Sequence, residues 1–232
     1  MNDTTPIQIT IKNLTIGFKN EVVSNFSTQL SGGDFIALIG NNGTGKTTLL
    51  KTIAGITPSI KGSVLIGEKK ISILSISDKA KIISYVNTQR IENSYLTVQS
   101  FIEFGRYPHS NLLHQLSDKD QEIIDNAIQT IGIGHLVKKP INELSDGEYQ
   151  KAQLAMTLAQ NTSIILLDEP TSFLDYTSKI ETIRLLKKIA VELKKIIVFS
   201  SHDLELLQKH CTTFWLINNK SISFPEKENI IP

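Results

Sequence analysis

Apolar positions along the chain follow two different rhythms. Phe35-Ile36-Ala37-Leu38-Ile39, Ser163-Ile164-Ile165-Leu166-Leu167 and Ile196-Ile197-Val198-Phe199 are short runs with almost no polar break. Ile82-Ile83-Ser84-Tyr85-Val86 is a fourth. Such runs are what strands buried on both faces of a parallel sheet carry. Residues 7–16 alternate apolar and polar for five residues and then break step, and 22–30 are also strand-like. With the turn Ser31-Gly32-Gly33-Asp34 after them, they predict antiparallel strands. Short strands are also expected at 63–67 and 213–217, with Glu68-Lys69-Lys70 as a turn.

Helical spacing dominates elsewhere. Leu49, Leu50, Ile53 and Ala54 share a face that ends at Gly55, and 77–81 reads as a short capped helix. Residues 97–104, 118–131 and 147–160 are helical; in the second, Ile123, Ile124, Ala127, Ile128 and Ile131 recur every three or four residues. Between the first two, 105–110 reads as an irregular polar and aromatic loop. Residues 178–194 form an amphipathic helix, with Lys187, Lys188, Lys194 and Lys195 as a solvated face. The tail 223–229 is polar and expected to be poorly ordered. The fold class is therefore α/β. One domain over 1–232 is expected, with an α/β core at 1–90 and 161–232. That core has a mainly parallel sheet and an N-terminal antiparallel β part, and a helical block at 91–160 is inserted into it.

Composition narrows this little. The chain has 232 residues, 40% of them hydrophobic, which is enough for a sizeable core. A net charge of +1 gives no field favouring nucleic acid. The single Cys211 cannot form an internal disulfide, which fits a reducing compartment. No apolar stretch reaches the length of a membrane span, and residues 1–6 carry no signal pattern. The expectation is a soluble intracellular protein that reaches a membrane only through a partner.

The candidate chemistry sits where strands end. Gly40-Asn41-Asn42-Gly43-Thr44-Gly45-Lys46-Thr47-Thr48 lies between a buried strand and a helix and fits G-x-x-x-x-G-K-[ST]. Glycines there let backbone N–H groups approach a polyphosphate, and the helix N-terminus favours an anion. Lys46 can reach the β- and γ-phosphates, and the Thr47 hydroxyl can ligate Mg²⁺. Asp168 and Glu169 end a second strand, and His202 follows a third. In a parallel sheet these ends converge on one edge. Asp168 can then hold Mg²⁺, Glu169 can orient or deprotonate an attacking water, and His202 can bond the γ-phosphate. His202 alone is equally readable as a satisfied core polar group. Phe18, in the loop 17–20, either stacks on a purine or is a half-buried loop aromatic. Ser145 and the Gly147 amide can bind an anion at a helix start, although taken alone the segment reads first as a plain N-cap.

Together these pieces resemble an ATP-binding cassette (ABC) ATPase over almost the whole chain, from about residue 7 to 217. Residues 40–48 match that family's Walker A, and 164–170 its Walker B. Leu144-Ser145-Asp146-Gly147-Glu148 is similar to its LSGGQ signature, and Ser172-Phe173-Leu174-Asp175 to its D-loop. Gln89, His202 and Phe18 stand at its Q-loop, switch and adenine-stacking positions. The resemblance implies ATP and Mg²⁺ as cofactors, with Gln89 joining Thr47 and Asp168 at the metal and joining Lys46, Glu169 and His202 in catalysis. It implies a head-to-tail homodimer in which Ser145 and Gly147 of one copy close on the ATP of the other. It also implies integral membrane permease subunits docked at the helical block, a substrate-binding protein acting indirectly, and a place on the cytoplasmic face of the inner membrane.

Gly105-Arg106-Tyr107-Pro108-His109 and the Asp/Glu signature variant resemble the iron-chelate and cobalamin importers of the family. Two other readings use the same motifs: the ATPase of an exporter, or a soluble ABC ATPase acting on nucleic acid or the ribosome. One departure stands out. Where the family carries an Arg-rich run after the signature, this chain has Tyr149-Gln150-Lys151. Either a contact between the signature helix and the core is weakened, or Lys151 substitutes.

Overall fold

The computed structural model describes residues 7–87, 89–91, 95–110 and 115–230. The opening segment 1–6 and Thr88 lie outside them.

Two sheets carry the fold. Strands β1 (Gln8–Gly17), β2 (Glu21–Ser31), β4 (Lys61–Ile66) and β5 (Lys69–Lys70) form an antiparallel sheet in the order β2-β1-β4-β5. The broken alternation in 7–16 is a set of register shifts against β2, between Ile11 and Leu14 and again towards Gly17. Lys69 and Lys70, expected in a turn, pair with Ile66 and Leu65. The turn is only Gly67-Glu68.

Strands β3 (Phe35–Ile39), β6 (Ile83–Val86), β7 (Ile164–Leu167), β8 (Ile196–Ser200), β9 (Thr213–Asn218) and β10 (Ser221–Ser223) form the second sheet, in the order β10-β9-β3-β8-β7-β6. All its pairings are parallel except that of β10 with β9. Because successive strand residues face opposite ways, this sheet sorts its apolar residues between two cores. Ile36, Leu38, Ile164, Leu166, Ile196 and Val198 pack towards the antiparallel sheet and helix α1 (Lys46–Ile53). Ala37, Ile39, Ile165, Leu167, Ile197 and Phe199 pack towards the other helices.

Those helices are α3 (Val98–Glu103), α4 (Asp118–Ile131), α5 (Asp146–Ala159), α6 (Tyr176–Glu192) and α7 (Leu204–His210). A short α2 (Ile76–Ile82) precedes β6 and is capped by Ser75, two residues before the expected start. Helix α4 has a capping box between Ser117 and Asp120 and stops at Gly132, which is left-handed at φ 77°.

Four local expectations change. An irregular loop is expected over 105–110, but Phe104–His109 form a 3₁₀ helix. Arg106 is buried there: Nε donates to Asp120 Oδ1 at 2.9 Å and Nη1 to the Ala159 carbonyl at 2.7 Å. The arginine thus ties the start of α4 to the end of α5. His109 Nε2 lies 2.9 Å from the Gln160 carbonyl, and Gln160 Nε2 donates to the Ala80 carbonyl, so the tie continues into α2. Lys195, expected on a solvated face, is buried with Nζ donating to the Thr162 carbonyl. The tail is ordered: β10 pairs with β9, and Ile230 is buried in the helical core. Helix α7 was not anticipated; only Leu206 and Leu207 of its seven residues are buried, too few to set a helical period.

Gly105 illustrates how closely these parts fit. A Cβ there would lie 2.4 Å from the Met156 carbonyl oxygen, which is rigid helix backbone. Gly105→Ala is therefore expected to destabilise the fold by about 2 kcal/mol through forced separation of the 3₁₀ turn from α5, measured by urea unfolding. Asp120 gives a pH prediction. The Ser117 hydroxyl and amide, and then Arg106, hold its carboxyl down to about 2. A depressed folded value contributes stability above the ordinary 3.8, and that contribution is lost as pH falls towards 2. Asp120→Asn should flatten stability against pH across that window while lowering it at neutral pH.

Candidate functional site

The parallel sheet delivers β3, β7 and β8 to one edge, where the polar residues that follow them meet, and β6 beside β7 adds Tyr85. The register decides which ones touch. Leu167 sits opposite Phe199 and Val86, so the next residues, Asp168 and Ser200, fall side by side. The Ser200 hydroxyl donates to Asp168 Oδ1 at 2.7 Å and accepts from the Glu169 amide at 2.8 Å. Tyr85 of β6 donates its phenol to Asp168 Oδ2 at 3.3 Å. Burial first, and then the Asp168 charge, push that phenol well above its usual value, so it stays a donor.

Glu169 turns the chain sharply. Its φ is 56°, in the left-handed region that a glutamate rarely adopts. Such conformations cost on the order of 1–3 kcal/mol and concentrate at functional sites. Ser200 and Ser172 fix the result, one at the amide and the other by donating to Glu169 Oε2 at 3.1 Å. Glu169 Oε1 meets His202 Nε2. His202 Nδ1 in turn lies 3.4 Å from Lys46 Nζ. One chain of polar contacts therefore runs from the loop before α1 through His202 to Glu169, with Asp168 beside it.

The loop 40–48 is shaped around Lys46. Its ammonium donates to the carbonyls of Gly40 at 2.7 Å and Asn41 at 3.1 Å. Burial lowers its affinity for a proton, and the charges of Glu169 and Asp168 work the other way. The Thr44 hydroxyl closes the turn onto the Asn41 carbonyl. Gly45 must be glycine, since its φ is 106° and a Cβ would lie 2.7 Å from Val22. Asn42 and Gly43 form the outward tip, and Thr47 and Thr48 lie in the first turn of α1. Thr47 is exposed and its hydroxyl has no hydrogen-bond partner among the described residues. A free hydroxyl and the Asp168 carboxylate are hard oxygen donors of the kind Mg²⁺ takes alongside phosphate oxygens and waters.

The remaining candidates lie apart from this chain of contacts. Phe18 follows β1 and is 78% exposed, its ring open to stacking. Gln89 bonds Asn87 through both its amide and its side chain, not the loop at 40–48. Ser145 caps α5 in a reciprocal box with Glu148, whose carboxylate accepts from the Ser145 amide. The nearest atoms to a Cβ at Gly147 belong to Ser178 and Leu174. Ser145 and Gly147 make no hydrogen bond to residues 40–48 among the described residues. Lys151 reaches Glu181 of α6 at 3.6 Å, an exposed link between α5 and the core.

Sequence reasoning missed Tyr85, Ser172 and Ser200 as partners of the two carboxylates. Ser200 carried a signal, as the first polar residue after an apolar run of the same length as that before Asp168. Only the parallel register makes it Asp168's neighbour.

Comparison with known proteins identifies the family. The ABC transporter family model matches residues 23–172. An uncharacterised ABC transporter ATP-binding protein of Methanocaldococcus jannaschii is 38% identical over 222 residues, 95% of this chain and 77% of that protein. The iron(3+)-hydroxamate import ATP-binding protein FhuC of Bacillus subtilis is 36% identical over 197 residues, 84% of this chain and 73% of that one. Among solved structures, an inward-facing ABC transporter of metal-chelate type superposes with a TM-score of 0.84 at 25% identity, covering 97% of this chain and 85% of that one. The chain is thus an ATPase and belongs to the ABC transporter family.

Proposed function

We propose that this ATPase powers import of an iron chelate through a membrane permease. The observation that carries the catalytic part is the contact chain Lys46–His202–Glu169 with Asp168 at its side. The likeness to an iron(3+)-hydroxamate import protein, together with the Gly105–His109 stretch, supports the substrate class.

In this reading Phe18 stacks on the adenine. The loop from Gly40 to Thr48 wraps the phosphates with its amides, and Lys46 exchanges its carbonyl partners for the β- and γ-oxygens. Thr47, Asp168 and Gln89 are the residues that would hold Mg²⁺, which supplies charge neutralisation of the phosphate oxygens when bound. Glu169 accepts a proton from the attacking water, and His202, already against Glu169, holds the γ-phosphate in line. Ser145 and Gly147 make no hydrogen bond to the loop at 40–48 among the described residues. They close the site of a second copy, and the two-fold dimer makes this reciprocal. The helices between β6 and β7 receive the permease, a binding protein delivers cargo on the far side, and the ATPase sits at the cytoplasmic face of the membrane. Among the described residues no helix is long and apolar enough to cross a membrane. The parts at 1–90, 91–160 and 161–232 work as one ATPase domain.

Two measurements test the chemistry. Glu169→Gln should lower ATP hydrolysis by at least about 100-fold while leaving ATP bound, and should run as an ATP-dependent dimer on size exclusion. Hydrolysis near the wild-type rate would remove Glu169 from the base role. Ser200→Ala deletes a donor to Asp168 and the acceptor for the Glu169 amide, and should reduce kcat about ten- to a hundred-fold with little change in ATP affinity. For the transport reading, a pull-down from native membranes should bring a multi-span permease, and deletion should abolish ferric-chelate uptake. Unchanged uptake would exclude it.

A further inference from the structure

Tyr149-Gln150-Lys151, where an Arg-rich run would stand, has a counterpart in space. The structure places an arginine against this helix from another segment. Arg90 follows Gln89, and its guanidinium lies over the Tyr149 ring at 5.1 Å from the centroid. Nη1 pairs with Asp146 Oδ1 at 3.1 Å, and Nη2 donates to the Leu144 and Ile141 carbonyls. Leu144 and Asp146 flank Ser145. Two further bonds tie the same segment to the same helix: the Ile91 amide donates to the Tyr149 hydroxyl at 2.9 Å, and Gln153 Nε2 to the Asn87 carbonyl at 3.4 Å. Tyr149 is itself buried and stacks on Phe101 of α3, so the platform is firm.

We infer that Arg90 is a positioning residue that locks the start of α5, and with it Ser145 and Gly147, to the segment carrying Gln89. A planar cation that stacks on an aromatic face while its N–H groups spread over several oxygens suits arginine and no other side chain. Through this clasp, a displacement of Gln89 towards one nucleotide displaces the residues that meet the other. Arg90 touches no nucleotide; it transmits position between the two sites of the dimer. The inference rests on the head-to-tail dimer proposed above.

The test uses the Glu169→Gln protein, whose ATP-driven dimer can be read by light scattering. Adding Arg90→Ala should raise the ATP concentration for half-dimerisation about tenfold, since small misplacements of converging groups have effects of this size or larger. ATP binding to the dilute monomer and the thermal midpoint should change little. In the otherwise wild-type protein, Arg90→Ala should also bring the Hill coefficient for ATP hydrolysis towards 1. Arg90→Lys, which keeps the charge but cannot stack and spread together, should fall between. Tyr149→Phe, which keeps the ring, should retain most of the dimerisation. If Arg90→Ala proves unstable, Arg90→Lys and Asp146→Asn carry the same comparison. A dimer that forms at the same ATP concentration with and without Arg90 overturns this inference alone. If Glu169→Gln itself forms no dimer, the underlying reading falls, and this inference with it.

Discussion

Two carboxylates stand side by side at the end of a fully buried strand, and much of the molecule serves to give them partners. Asp168 receives Ser200 and Tyr85, from the strands on either side of its own. Glu169 receives Ser200, Ser172 and His202, and Lys46 stands close enough to feel both charges. Unpaired, two such groups at a buried strand end would be costly. The register of β6, β7 and β8 sets this arrangement. A shift of one residue would exchange inward and outward faces of the sheet and break both the core and the site. Stability and chemistry here depend on the same alignment.

A buried ion pair organises the helices. Arg106 and Asp120 join a 3₁₀ turn, the cap of α4 and the last turn of α5. Buried pairs contribute little net stability, but removing one partner strands the other's charge, so such a pair specifies how helices sit more than how firmly they hold. From there His109 and Gln160 carry the tie to α2, next to β6. The stretch that resembled importers of metal chelates therefore has a structural task in this chain. Tyr107, 46% exposed, is the member of it that faces outward most openly.

The buried strands and the loop at 40–48 were legible in the sequence because their signals are dense. Five consecutive apolar residues followed by a glycine-rich turn admit few alternatives. Helix α4 was legible for the same reason, with its period, cap and terminal glycine all in agreement. What escaped were contacts between distant segments. Lys195 looked like one more lysine on a charged helix, and only the approach of the Thr162 carbonyl explains its burial. The tail looked disordered because its composition is polar. Its order comes from a strand partner and from a single anchor, Ile230. Among the described residues the side-chain bonds of Gln89 and Ser145 run to near neighbours in sequence, Asn87 and Glu148, so no contact within the chain advertises a further role.

The Tyr149 substitution shows why such contacts resist sequence reading. Where the family resemblance implies an Arg-rich run, Tyr149-Gln150-Lys151 invites the expectation of a weaker contact. In space the cation is present, supplied by Arg90 some sixty positions earlier. Lys151, the candidate substitute, makes a different and exposed link to α6, and exposed pairs of that kind contribute at most about 1 kcal/mol. In this chain the carbonyls of Ile141 and Leu144, at the turn before α5, both accept from the Arg90 guanidinium. Here the group lies on the segment that also carries Gln89, and its contacts tie that segment to the turn before α5.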